Sequence, residues 1–213
     1  MSDDHKREAR HLGPKFEEAF QLAFDLHQTK GKQGRKGKDT PYVSHLMAVA
    51  ALVLEYGGSE EEAIAALLHD AVEDQGGPNT LQMIRERFGP KVAKIVADCS
   101  DCEGEGTKPP WSERKKKYID HLPHLSPSSR IVSLADKIHN AGTILRDVRQ
   151  HGVQTFECFN GKRDGTLWYY DALARTFLEQ KPDEMAKELG RIVEELYEAA
   201  NEHRPKHLKV PEN

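Results

Sequence analysis

The stretch Ala63-Ile64-Ala65-Ala66-Leu67-Leu68-His69-Asp70-Ala71-Val72-Glu73-Asp74 decides how this chain is read. Six apolar, alanine-rich residues give way, within six more, to one histidine and three carboxylates. Residues three and four apart on a helix are neighbours. A helix through this stretch therefore places His69 beside Glu73, Asp70 beside Asp74, and Asp70 beside Glu73. Three negative charges at the end of an otherwise buried helix are costly unless a cation or water compensates them. The cluster invites a metal, and the rest of the chain must then supply further ligands.

On the N-terminal side, Ser59 and Glu62 form a capping-box signature that starts this helix, and Gly57-Gly58 stops the one before it. That earlier helix is expected from a Thr40-Pro41 cap to about Tyr56, and it carries His45 among Met47, Val49, Leu52 and Val53. Before it lies Gly31-Lys32-Gln33-Gly34-Arg35-Lys36-Gly37-Lys38, a basic, glycine-rich loop. It is not a phosphate-cradling P-loop, because Lys38 is followed by Asp39 and the first glycine is misplaced. A charge run of this kind is ordinarily a solvated surface loop. Its position, leading directly into the His45 helix, weighs against that. Helical spacing of Phe16, Ala19, Phe20, Ala23 and Phe24 predicts a helix over 14–29, with His27 as a packed core histidine.

On the C-terminal side the charged helix is expected to run to Gly76-Gly77-Pro78. Asn79 or Thr80 then caps a short helix with Leu81, Ile84 and Phe88, and Gly89-Pro90 separates it from Val92, Ile95 and Val96. Cys99-Ser100-Asp101-Cys102 is a single CxxC without the second pair a zinc site needs. Residues 103–110 read as a loop, and Glu113-Arg114-Lys115-Lys116-Lys117 opens a basic helix. Ser126-Pro127 starts a helix with Ile131, Leu134, Ala135, Ile138 and Leu145 as its core stripe. Asp136, Asn140, Thr143 and Asp147 form a polar stripe on it. An exposed polar face usually explains such a stripe, but Asp136 lies inside the apolar run beginning at Ile131. A short helix or turn near 156–159, a helix from Leu167 and a last one from Pro182 complete the pattern.

No stretch alternates with period two, and no internal repeat is present. The fold class is all-α, with about eight to ten helices and no substantial sheet. The expected organisation is a flexible lead over 1–13, one domain over 14–200, and a frayed tail over 201–213. The chain has 213 residues, 37% of them hydrophobic and 31% charged, with a net charge of −4. This carries no basic footprint for nucleic acid. No apolar run approaches the ~20 residues of a membrane span, and no secretory h-region follows the polar N-terminus. Three cysteines favour a reducing, cytoplasmic setting over a disulfide scaffold. Oligomeric state is not readable.

His45, His69, Asp70 and Asp136 are thus metal-type side chains at partly buried positions. Two imidazoles and two carboxylates without a thiolate suit Mn²⁺, Fe²⁺ or Zn²⁺. Four protein ligands on a six-coordinate ion leave places for water and substrate, and such an ion generates a nucleophile near neutral pH. Glu73 and Asp74, one turn on, are placed to orient or deprotonate that water.

Four stretches together resemble the HD phosphohydrolases, and within them the alarmone hydrolases related to the hydrolase domain of RelA/SpoT proteins. They are Arg35-Lys36 through Pro41-Tyr42-Val43-Ser44-His45; Ala65 through Asp74; Phe88-Gly89-Pro90-Lys91-Val92-Ala93; and Leu134-Ala135-Asp136-Lys137-Ile138-His139-Asn140. The pairing of HDxxED with LADKxHN is the diagnostic part. The resemblance implies an HD-domain helical bundle with one Mn²⁺ on His45, His69, Asp70 and Asp136, and with Glu73 and Asp74 as catalytic residues. It implies hydrolysis of the 3′-pyrophosphate of guanosine 3′,5′-bis(diphosphate) (ppGpp) or its pentaphosphate relative, a small purine nucleotide bound by Arg35, Lys36, Asn140 and Thr143. The same chemistry on ppApp-type adenosine alarmones or on the NADPH 2′-phosphate is the alternative, and an inactive nucleotide-sensing module a third. Two features depart from the long RelA/SpoT proteins: an Arg35–His45 segment one residue longer, and Gly142 where arginine is frequent. Lys115, Arg163 and Trp168 either line the pocket or form a basic surface and a core tryptophan. Because the chain ends about where a synthetase domain would begin, a stand-alone hydrolase is expected.

Overall fold

Alanine-rich Ala63–Leu68 lets neighbouring helices approach closely on every side, and all six of these residues are buried. They form most of a central helix, Glu60–Leu68, within a computed structural model that describes residues 11–100 and 109–207. Ten α-helices are present among the described residues: α1 Pro14–Phe24, α2 Val43–Glu55, α3 Glu60–Leu68, α4 Ala71–Asp74, α5 Gly77–Phe88, α6 Pro90–Cys99, α7 Trp111–His121, α8 Pro127–His151, α9 Lys162–Gln180 and α10 Glu184–Ala199. Helix α3 packs against α1, α2, α6 and α8. Truncating a side chain such as Leu68, which is fully buried, would cost about 2–5 kcal/mol through lost burial and a residual cavity. No strand occurs among the described residues; an isolated antiparallel bridge joins Gly34 to Pro41. The all-α expectation holds.

Where caps are local, the elements begin as expected. Ser59 accepts from the Glu62 amide, while the Glu62 side chain accepts from the Ser59 amide. Ser126 accepts from the Ser129 amide at 3.0 Å and opens α8, the 25-residue backbone of the fold. Helix α8 packs on α2, α3, α6 and α10, which brings its Asp136 segment against the ends of α2 and α3.

Several boundaries move. Helix α1 widens into a π-helical turn over Asp25–Lys30. Thr40-Pro41 does not cap α2: Pro41 is held in the bridge to Gly34, and Tyr42 occupies the cap position. Thr80 does not cap α5, since its hydroxyl donates to the Gln75 carbonyl and the helix starts at Gly77. Helix α9 starts at Lys162 rather than Leu167. Residues 201–207, expected to fray, are held down. Arg204 Nε donates to the buried Asp171 carboxylate at 2.7 Å, and Arg175 donates to the Pro205 and Lys206 carbonyls. Residues 1–10 of the lead, Cys102 of the CxxC and residues 103–108 of the expected loop lie outside the described residues.

Candidate metal centre

The main correction to the sequence reading falls on the HD dipeptide itself. One continuous helix through Asp74 was expected. Instead α3 stops at Leu68, His69 and Asp70 form a turn, and α4 resumes at Ala71. Adjacent residues of an ideal helix do not face each other. For His69 and Asp70 to aim at one point, the backbone must leave the helix. Asp70 does so at φ −95°, ψ −4°, in the sparsely populated bridge region. The result places His69 Nε2 3.0 Å from Asp70 Oδ2.

Two other helices complete the centre. His45, in the first turn of α2, brings Nε2 to 3.6 Å from Asp70 Oδ2 and 3.2 Å from Asp136 Oδ1. Asp136, midway along α8, also brings Oδ1 to 3.6 Å from His69 Nε2. The four donor atoms thus form a ring with edges of 3.0–3.6 Å. Ligands about 2.1 Å from one ion are separated by roughly this distance. Both imidazoles are 1% exposed.

The hydrogen bonding around the ring fits a cation. His69 Nδ1 meets the Ala66 carbonyl at 2.7 Å and must donate to it. Its Nε2 is buried without a hydrogen-bond partner, so it turns a lone pair toward two carboxylates. Either a proton or a metal ion must settle that repulsion. Burial disfavours the charged imidazole, yet the Asp70 charge and the Asp136 oxygen hold the His69 pKa well above its ordinary value. Burial likewise works against both carboxylates, but His69 beside Asp70 and Lys137 beside Asp136 keep their pKa values well below the usual range. The set is negative, convergent and short of one cation.

Partners outside the ring orient its members. His45 Nδ1 lies 2.7 Å from His139 Nδ1. Burial, then the charges of His45 and Arg35, pull the His139 pKa down to about 4. A His45 that turns a bare Nε2 to a cation carries its proton on Nδ1 and donates it to His139. Lys137 Nζ donates to Asp136 Oδ2 at 2.6 Å, over the face of Tyr118, and Asn140 donates to Oδ1. The Tyr42 hydroxyl donates to Asp70 Oδ2. Such partners fix ligand orientation and tune metal affinity. The HD motif alone pointed to none of Tyr42, Lys137 or His139 in these roles; their signal was only proximity to the ligands in sequence.

The remaining expected residues divide. Glu73 and Asp74 stand on α4 beyond the ring. Glu73 Oε1 lies 3.7 Å from Arg114 Nη1 of α7, and Asp74 Oδ2 accepts from Gln33 at 2.7 Å. Arg35 and Asn140 come together: Arg35 Nη2 donates to Asn140 Oδ1 at 2.7 Å, with its guanidinium 5.6 Å from the Tyr42 ring centroid. Lys36 turns instead toward Phe159, its Nζ 5.8 Å from the ring centroid. Thr143 is buried one turn beyond Asn140, its hydroxyl accepting from Arg146 at 3.1 Å. Lys115 sits over Tyr169 at 5.0 Å. Trp168 is a core residue, as one reading had it. It also borders, with Arg163, a separate cleft of about 1280 Å³ between α7 and the start of α9. None of the four ring residues lines that cleft.

Comparison with known proteins follows this geometry. The pattern of the HD domain matches residues 19–167, a span containing every member of the ring. Curated guanosine-3′,5′-bis(diphosphate) 3′-pyrophosphohydrolases are similar to the chain. The Xenopus tropicalis protein is 38% identical over 136 residues, covering 62% of this chain and 69% of its own length. The Homo sapiens protein is 37% identical over 140 residues, covering 62% and 72%. A solved structure of a metazoan SpoT ortholog that hydrolyses ppGpp shares the fold, with a TM-score of 0.67 at 24% identity over 89% of this chain and 97% of that one. HD domains depend on metal, and the His–Asp ring described above falls inside the matched span; the chain belongs to the HD domain family.

Proposed function

We propose that the chain hydrolyses the 3′-pyrophosphate of ppGpp and its pentaphosphate relative, yielding GDP or GTP and pyrophosphate. The observation that carries this is the four-donor ring with two further carboxylates one turn beyond it, in a chain similar to hydrolases named for that activity. His45, His69, Asp70 and Asp136 would hold the cation; the mixed nitrogen and oxygen donors suit Mn²⁺, Fe²⁺ or Zn²⁺, and the resemblance to alarmone hydrolases supports Mn²⁺ among them. When bound, it supplies a nucleophile at neutral pH and polarises a phosphoryl oxygen.

The chain's own residues then have distinct tasks. Glu73 and Asp74 orient the water and take one proton from it as its oxygen attacks the phosphorus of the 3′ ester. The bond from that phosphorus to the ribose 3′ oxygen breaks, the 3′ oxygen takes up a proton, and pyrophosphate leaves. Arg114 faces Glu73, its Nη1 3.7 Å from Oε1, and restrains where that carboxylate points. Arg35 offers a planar cation for the purine, and its bond to Asn140 ties that cation to Asp136. Lys36 serves the phosphates, and Asn140 and Thr143 stand near base and sugar. Three cysteines without a disulfide scaffold support a cytoplasmic setting for the reaction.

A panel of 3′- and 2′-phosphorylated purine nucleotides, run with Mn²⁺, Mg²⁺ and Zn²⁺, tests the reading. The expected result is pyrophosphate release from ppGpp, fastest with Mn²⁺. Equal or better kcat/KM on ppApp would displace the guanine assignment, and phosphate release from NADPH alone would displace the alarmone.

A further inference from the structure

Gln33 stands half-buried in the basic loop, and its amide is engaged on both sides. Its Nε2 donates to Asp74 Oδ2 at 2.7 Å. Its Oε1 accepts from Gln75 Nε2 at 2.8 Å and meets His27 Nδ1 at 2.8 Å. The main chain of the same residue is fixed too: its amide donates to the His27 carbonyl at 2.8 Å, and its carbonyl accepts from the Tyr42 amide at 2.9 Å. His27 is fully buried and stacks on Tyr42, with ring centroids 5.3 Å apart. An amide whose oxygen is engaged by Gln75 and by the buried His27 presents its N–H₂ on the opposite side. That side faces Asp74.

We infer that Gln33 is a positioning residue for Asp74, acting on the water-handling carboxylate rather than on the metal or the nucleotide. The assignment rests on the hydrolase reading above. By donating to Oδ2, Gln33 fixes the plane of the carboxylate that handles the water. The carboxylate stands at the end of a four-residue helix, where backbone alone constrains a side chain least. Reorientation of a catalytic group by about 1 Å costs on the order of 10²-fold in rate.

Gln33→Glu tests this with little change of volume. The new oxygen still accepts from Gln75 but faces Asp74 with an acceptor in place of a donor. The expected signature is a fall in kcat of about 10–100-fold, with KM and Mn²⁺ affinity each within about twofold of wild type. Gln33→Asn, which withdraws the amide by one methylene, should show the same split and covers the case in which the glutamate variant fails to fold. In an Asp74→Asn background, neither substitution should lower kcat further, because the group being positioned is gone. A role limited to anchoring the loop would instead raise KM through Arg35 and Lys36 with kcat held. That result, an unchanged kcat, or an equal loss in the Asp74→Asn background would overturn the assignment while leaving the hydrolase reading intact. A wild-type chain inert on every nucleotide of the panel would overturn both.

Discussion

The two halves of the candidate site are built differently. The ring half is largely buried, sits on α2, α8 and the turn between α3 and α4, and has each member held by a second side chain or a carbonyl: His45 by His139, His69 by Ala66, Asp70 by Tyr42, and Asp136 by Lys137 and Asn140. The nucleotide half rests on a loop whose residues Gly34–Pro41 are mostly exposed, closed by one bridge and pinned by Lys38 to Asp147 at 2.6 Å. The first half is held in place because its donors are packed into the helical core and fixed by these outer partners. The second can adapt to its ligand, since its cations are tied by single bonds. The halves meet at two links, Arg35 to Asn140 and Gln33 to Asp74. Damage to the first half should therefore abolish function, while damage to the second should grade it.

The largest effect is expected from His69→Ala. It should eliminate stoichiometric Mn²⁺ binding in equilibrium dialysis and lower turnover by roughly 10³-fold or more, the rate equivalent of several kcal/mol of electrostatic stabilisation. Retained metal would break the comparison, because the ring would then not be the binding site. Glu73→Gln comes next. Metal and nucleotide binding should persist, measured by calorimetry, while kcat falls about 10²–10⁴-fold; unchanged turnover would remove Glu73 from the chemistry. Lys137→Met removes a partner but no ligand, so Mn²⁺ affinity should weaken by about 10–100-fold in a competition titration. Arg35→Ala is the mildest. Loss of one charge-assisted contact should raise KM about tenfold with kcat little changed. If it lowered kcat as far as Glu73→Gln does, the nucleotide half would be as critical as the ring, and the distinction drawn here would fail.

Legibility in the sequence follows the same division. Local devices were readable: the Ser59–Glu62 capping box, the Ser126 cap, and the apolar run of Ala63–Leu68 all rest on residues within five positions of each other. The four ring donors were readable because a histidine or aspartate inside an apolar helical stripe is conspicuous, and because the joint pattern resembles a family. The break at His69-Asp70 was not. No glycine or proline stands there to break a helix, and the demand that two adjacent side chains reach one point interrupts it. The outer partners were also hidden, since the Tyr42–Asp70 bond spans 28 residues and the Arg35–Asn140 bond 105. The start of α2 was misplaced for a related reason. Thr40-Pro41 has the chemistry of a cap, but the bridge to Gly34 claims that segment first.

The central claim is that the buried ring and the carboxylate pair beyond it form one hydrolytic centre acting on a 3′-pyrophosphate. The most direct measurement follows ppGpp with Mn²⁺-loaded wild-type protein, quantifying GDP and pyrophosphate while the bound metal is counted in the same sample. The account expects equimolar GDP and pyrophosphate at about one Mn²⁺ per chain, with release stopped by chelation. Intact ppGpp in the presence of fully metal-loaded protein would contradict it.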